Sequence, residues 1–156
     1  MEYFKVKGKN NVDIDVVKVI PKKPKAIVQI FHGMGEHKER YLDFMKFLSD
    51  NNIACYAHDH PKHGKSVHDE SEVGIFGPND TWDDVYDDAY FVSRKIMKQH
   101  PGLPMYLLGH SMGSIIARGF ISRYNTVHSK VIIMGTLPPM SAFKAFVPLS
   151  MARVIG

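Results

Sequence analysis

Ser111 is the residue best placed to do chemistry. It sits in the pentapeptide Gly109-His110-Ser111-Met112-Gly113. A serine hydroxyl becomes a useful nucleophile when the backbone holds it clear of its own turn, beside donors that can receive negative charge. The G-x-S-x-G spacing predicts that geometry. Glycines two residues before and two after the serine let a strand and a helix approach without Cβ clashes. The serine then takes a strained conformation between them. The next N–H, that of Met112, is aimed at a developing oxyanion, and the helix N-terminus adds positive potential there. The pentapeptide alone occurs by chance in many chains, so its flanks decide. Met105 to Leu108 is an apolar run of strand length, and Ile115, Ile116, Gly119 and Phe120 recur at helical spacing.

Two further groups of residues have chemistry-bearing types. His32-Gly33-Met34-Gly35-Glu36-His37 follows an apolar run, and its glycines allow a tight loop with backbone amides turned inward. His58, His60 and His63 form an H-x-H pair with a third histidine three residues on, a spacing that could coordinate zinc. Lys62 beside His63 speaks against that reading. A serine nucleophile also needs a base and an acid to orient it. After Ser111 the sequence has no Asp or Glu, and His128 is the only later histidine. It falls in a polar turn, at the wrong end of the expected sheet for a base, and is expected on the surface.

The elements that must position these residues read as follows. Residues 3–20 predict a β-hairpin broken at Gly8-Lys9-Asn10-Asn11, with Val12, Ile14 and Val16 alternating against Asp13 and Asp15 as in a half-buried strand. Ala26 to Phe31 is a continuous apolar strand of the parallel, buried kind. A helix should follow, with Tyr41, Phe44, Met45 and Leu48 inward and Lys38, Glu39, Asp43, Lys46 and Asp50 outward, ending at Asn51-Asn52. Ile53 to Ala57 is the next strand. A polar stretch with Gly74, Gly77 and Pro78 then leads to a helix over roughly Thr81 to Gln99. Its core stripe is Trp82, Val85, Tyr86, Ala89, Val92 and Ile96. Its acids Asp83, Asp84, Asp87 and Asp88 come first and its basic residues last, which compensates the helix dipole better than it suggests a metal site. Lys130 to Met134 predicts another buried strand. The order β-β-β-α-β-α-β-α-β, with right-handed crossovers, predicts an α/β fold with a mostly parallel central sheet and helices on both faces.

Composition sets bounds on partners. The chain has 156 residues, 44% of them hydrophobic and 23% charged, as in a globular protein with a proper core. No apolar run is long enough to span a bilayer, and the N-terminus lacks a signal-peptide core. Cys55 is the single cysteine, so no intrachain disulfide forms, and its apolar neighbours predict a buried thiol. A cytoplasmic location fits. The net charge of +4 hides an asymmetry: all 16 acids lie at or before Asp88, and eight of the 20 basic residues lie after it. The basic residues from Arg94 on are scattered rather than clustered. That argues against a nucleic-acid face and for balancing acids on further chain.

Four blocks together resemble the α/β-hydrolase superfamily, and within it the monoacylglycerol lipase and lysophospholipase branch. They are His32 to His37 with Arg40-Tyr41, Ala57 to His60 with His63 to Ser66, Pro101 to Pro104, and Leu107 to Gly113. The order and spacing fit over nearly the whole chain. Pro61-Lys62 and Ser114 depart from the usual pattern at loop and early-helix positions. The resemblance implies Ser111 as nucleophile and the amides of Met34 and Met112 as the oxyanion hole, with His32 and Glu36 shaping the loop rather than reacting. It implies no cofactor and no metal, since the matching histidine block in that family binds none. In this fold the triad runs Ser, acid, His. The acid and the histidine are therefore expected on chain not present here, after a lid.

Residues 1–137 accordingly read as the N-terminal part of a hydrolase core, and 138–156, rich in Phe143, Phe146, Leu149 and Met151, as the start of a lid. The implied activity is cleavage of a monoacylglycerol, a lysophospholipid or a similar single-chain acyl ester, with transient, peripheral membrane contact through the lid. The 156 residues alone are expected to be inactive. The competing reading is a non-catalytic truncated relative that acts as a binding protein.

Overall fold

The computed structural model describes residues 1–67, 74 and 81–136. The elements come in the expected order. β1 (Glu2–Lys7) and β2 (Asp13–Val19) form the hairpin, joined through a 3-10 turn at Lys9–Asn11. β3 (Ala26–Phe31), α1 (Leu42–Asp50), β4 (Ile53–His58), α2 (Trp82–Gln99), β5 (Met105–His110), α3 (Met112–Arg123) and β6 (Lys130–Met134) follow. The six strands make one sheet in the order β1-β2-β4-β3-β5-β6. β4, β3, β5 and β6 are parallel, while β1 with β2 and β2 with β4 are antiparallel. The expected α/β fold, mostly parallel with helices on both faces, is the observed one.

β3 is buried at all six positions because both faces are covered. Ile27 packs with Val92 and Ile96 of α2, and Phe31 with Val85, Ala89, Ile116 and Phe120 of α2 and α3. The alternate residues Val28 and Ile30 face Met45 of α1. Parallel pairing then brings the chemistry together. Phe31 is opposite Gly109 and Ile30 is opposite Ala57, so β3, β4 and β5 all exit at one end of the sheet. Crevices outside the carboxyl ends of parallel strands are where open α/β sheets bind ligands.

Several local expectations are corrected. Lys38 and Glu39 do not face solvent, and Phe44 does not face the core: residues 38–41 form a 3-10 turn before α1 begins. Three residues per turn instead of 3.6 shifts the inward face, so Lys38 points in and Met45 becomes the buried anchor. β2 is not half-buried. Ile14, Asp15, Val16 and Val17 are all buried, because β2 lies inside the sheet under helices on both sides. β6 is not buried either: Ile132 is 48% and Met134 47% exposed, as expected at an edge with no described neighbour beyond it. Trp82 leaves the core stripe and is half exposed, stacked on Tyr86. The polar stretch around Gly77 and Pro78 and the lid segment 138–156 lie outside the described residues. Cys55 is buried as expected, and burial pushes its thiol up to about 12. No helix among the described residues is long and apolar enough to cross a membrane.

Candidate active site

Ser111 has φ 52° and ψ −118°, a left-handed-side conformation costly for any residue with a Cβ. It forms the corner between β5 and α3. Gly109 and Gly113 make that corner possible. A Cβ on Gly113 would overlap the Phe31 carbonyl, and one on Gly109 would overlap the Gly113 carbonyl. The corner is braced from two sides: the Ser111 N–H donates to the Met134 carbonyl at the end of β6 (2.9 Å), and the Ser114 N–H donates to the Ser111 carbonyl (2.9 Å). Met112 is the first residue of α3, where backbone N–H groups have no partner within the helix.

The loop after β3 lies directly against this corner. A Cβ on Gly33 would meet the Ser111 Cβ at 3.2 Å. The loop is shaped from within, as expected for His32 and Glu36. Glu36 Oε2 accepts the Gly33 N–H (2.9 Å) and the Tyr41 hydroxyl (2.8 Å), and Arg40 Nε sits 3.0 Å from Glu36 Oε1. Burial works against the Glu36 charge, but the Gly33 N–H, the Tyr41 hydroxyl and the His110 ring outweigh it and hold the carboxyl below its ordinary range. His32 donates from Nδ1 to the Gly33 carbonyl (2.8 Å) and accepts the His60 N–H at Nε2 (3.1 Å). Those two bonds define a neutral ring protonated at Nδ1. Met34, between these anchors, exposes 61% of its surface. No hydrogen bond among the described residues consumes the N–H of Met34 or of Met112.

Neither histidine near the end of the sequence is placed as a base for Ser111. His110 Nδ1 lies 3.2 Å from the Tyr41 hydroxyl and 3.4 Å from Glu36 Oε2, so its ring serves the loop. His128 is at the opposite end of the sheet, where the adjoining Ser129 N–H bonds the Met105 carbonyl at the start of β5. It is not the surface residue expected from sequence. Its ring packs against Phe120, its Nε2 is 3.0 Å from Gln29 Oε1, and burial pushes it down to about 4.

The three-histidine metal reading also meets a different arrangement. His58 and His60 are fully buried and pack edge to face with each other and with Phe31. Among the described residues no three His, Cys, Asp or Glu side chains converge as metal ligands. The acids of α2 are used as caps and ties. Asp84 forms a reciprocal capping pair with Thr81, Lys9 pairs with Asp84 and Asp87, and Arg123 pairs with Asp83 and Asp87. One cluster escaped the sequence altogether: Lys38 with Asp15, Glu39 and Asp59. A lone acid between two histidines at a strand exit was its only trace.

The mostly parallel sheet with its strand–serine–helix corner is that of an α/β-hydrolase. Residues 22–154 match the family model described as Hydrolase_4, serine aminopeptidase S33, and the chain belongs to this family. It is 39% identical to the monoglyceride lipase of Homo sapiens over 94 residues, which cover 60% of this chain and 29% of that protein. It is 31% identical to a monoglyceride lipase homolog of Monkeypox virus over 152 residues, 83% of this chain and 52% of that one. Among solved structures, a thermostable carboxyl esterase from Bacillus coagulans in complex with glycerol matches with a TM-score of 0.83 at 28% identity, over 99% of this chain and 50% of that one. The chain thus spans about half or less of the length of these relatives.

Proposed function

We propose that this chain carries the nucleophile-bearing part of a serine ester hydrolase that cleaves single-chain acyl esters, of the monoacylglycerol or lysophospholipid kind. The observation that carries the reading is Ser111 at a strained corner with the Gly33–Met34 loop against it. Ser111 Oγ attacks the ester carbonyl carbon, and the carbonyl oxygen takes up the negative charge. The N–H groups of Met34 and Met112 receive that oxyanion, aided by the N-terminus of α3. Collapse of the tetrahedral species expels the alcohol and leaves an acyl group on Ser111. Water then attacks the acyl enzyme and releases the fatty acid. No cofactor enters this chemistry.

The proton taken from Ser111 and given to the alcohol needs a histidine and an acid. His110 and His128 are committed elsewhere, and residues 112–156 contain no acid. The reading therefore places both groups on sequence beyond these residues, in keeping with the longer relatives, with residues 1–137 as the front of the core and 138–156 as the start of a lid that meets lipid. The same missing base favours a second reading, a non-catalytic relative that binds an acyl ligand.

Turnover of a monoacylglycerol by the full-length natural protein, with and without Ser111→Ala, separates the two. The hydrolase reading expects a loss of at least about a thousandfold. Equal turnover in the variant, or none in the parent protein, overturns it.

A further inference from the structure

Lys38 has no exposed surface, which is rare for a lysine unless it is paired. Its ammonium lies 2.6 Å from Asp59 Oδ2, 2.8 Å from Asp15 Oδ1 and 3.1 Å from Glu39 Oε1. Asp59 is equally buried. Its Oδ1 also accepts the Lys38 N–H (2.8 Å), and its Oδ2 accepts the Lys65 N–H (2.8 Å). The Asp59 N–H donates to the Asp15 carbonyl (3.0 Å), and the Asp15 N–H donates to Ser66 Oγ (3.0 Å). One cation therefore joins three segments distant in sequence: β2, the end of the loop after β3, and the exit of β4. At the rim Lys65 and His37 both lie beside Glu39, and the Tyr3 ring lies 5.9 Å from the Lys38 ammonium.

The loop that carries Met34 is thus tied to the β4 exit at both ends. At its start, His32 accepts the His60 N–H. At its end, Lys38 is held by Asp59 through both backbone and side chain. Between these ties the Met34 N–H has little freedom. Without the ammonium, three carboxylates would face one another in a buried space, and the end of the loop would be pushed away.

Building on the proposed hydrolase, we propose that Lys38 is a positioning residue. Its buried ion pair with Asp59 holds the loop so that the Met34 amide is preset for the oxyanion. A purely structural lysine would stabilise the whole sheet. A positioning lysine acts on residues 33–38 first, and on kcat more than on KM.

The test compares the full-length natural protein with Lys38→Met by hydrogen–deuterium exchange resolved along the chain, followed by ester kinetics. Exchange in residues 33–38 should rise at least tenfold while β3 and α3 keep their protection, and kcat should fall tenfold or more at unchanged KM. The double variant Lys38→Met with Asp59→Asn, which removes both charges and keeps an oxygen to accept the Lys38 N–H, should return part of the loop protection. Unchanged loop exchange overturns the proposal, as does a rise spread evenly over the sheet. Should Lys38→Met fail to fold, Lys38→Arg keeps the charge but not the compact ammonium, and the same localised or uniform pattern decides. The exchange result does not depend on turnover. A localised rise in a protein with no esterase activity sinks the hydrolase reading and leaves the loop clamp standing.

Discussion

His32, His58 and His60 cluster at the exits of β3 and β4, with ring centroids 4.3 Å apart for His32 and His60 and 4.9 Å for His58 and His60. Burial, the largest influence, pushes His32 down to about 4 and His58 to about 3, and holds His60 well below its ordinary value. In the unfolded chain all three titrate near about 6.5. Between there and pH 4 the unfolded state therefore binds more protons, and stability must fall as pH falls. Each histidine contributes about 2 kcal/mol of that loss by pH 5, against a net stability of about 5–15 kcal/mol for a domain. Urea unfolding at pH 7, 6 and 5 should show a steady drop of several kcal/mol, and a flat profile would contradict the burial of these rings. Protonation of His32 at Nε2 would also break its bond with the His60 N–H, so the loop should loosen first. Ser111 and the glycines around it were legible in the sequence because the corner is local: the pentapeptide and the apolar runs on either side of it specify it. Lys38 was not, because what buries it is Asp59 on another strand exit. The role of His128 was hidden for the same reason, since its partner Gln29 is 99 residues away.

At the scale of elements, the hairpin turn and α2 are joined by one buried carboxylate. Asp88 accepts the Lys9 N–H at 2.6 Å, and Lys9 in turn pairs with Asp84 and Asp87 on the same helix. Burial, with Asp84 and Asp87 nearby, outweighs that N–H and raises the Asp88 carboxyl to about 6. A raised carboxyl binds its proton better folded than unfolded, so this group costs stability as pH rises from about 4 to 6, and the cost then stays constant. Asp88→Asn keeps the accepting oxygen and removes the charge. It should stabilise the protein by about 1–3 kcal/mol at pH 8, with the gain gone by pH 4; a loss of stability at pH 8 would show that the charge itself holds the turn. Asp88 thus opposes the buried histidines in the acid range. The strands and α2 could be read from sequence because apolar runs and ordered charges are local signals. The inward face of α1 could not, because nothing local announces that residues 38–41 wind as a 3-10 turn.

For the whole molecule, the sheet fixes what the residues can do together. Parallel β3, β4 and β5 deliver the Met34 loop, the Asp59 hub and Ser111 to one end, and β6 closes the corner through the Met134 carbonyl. Part of the charge asymmetry along the sequence is settled across the α2–α3 packing, where Arg123 meets Asp83 and Asp87. The apolar edge that β6 presents among the described residues is the kind of surface that further strands cover. The proposed hydrolase stands or falls with Ser111 as its nucleophile. Its most direct test is the intact mass of the full-length natural protein before and after a fluorophosphonate. One adduct on Ser111, lost in Ser111→Ala, is the predicted result. A folded protein that takes no adduct, or takes it on another residue, would rule out Ser111 as the nucleophile.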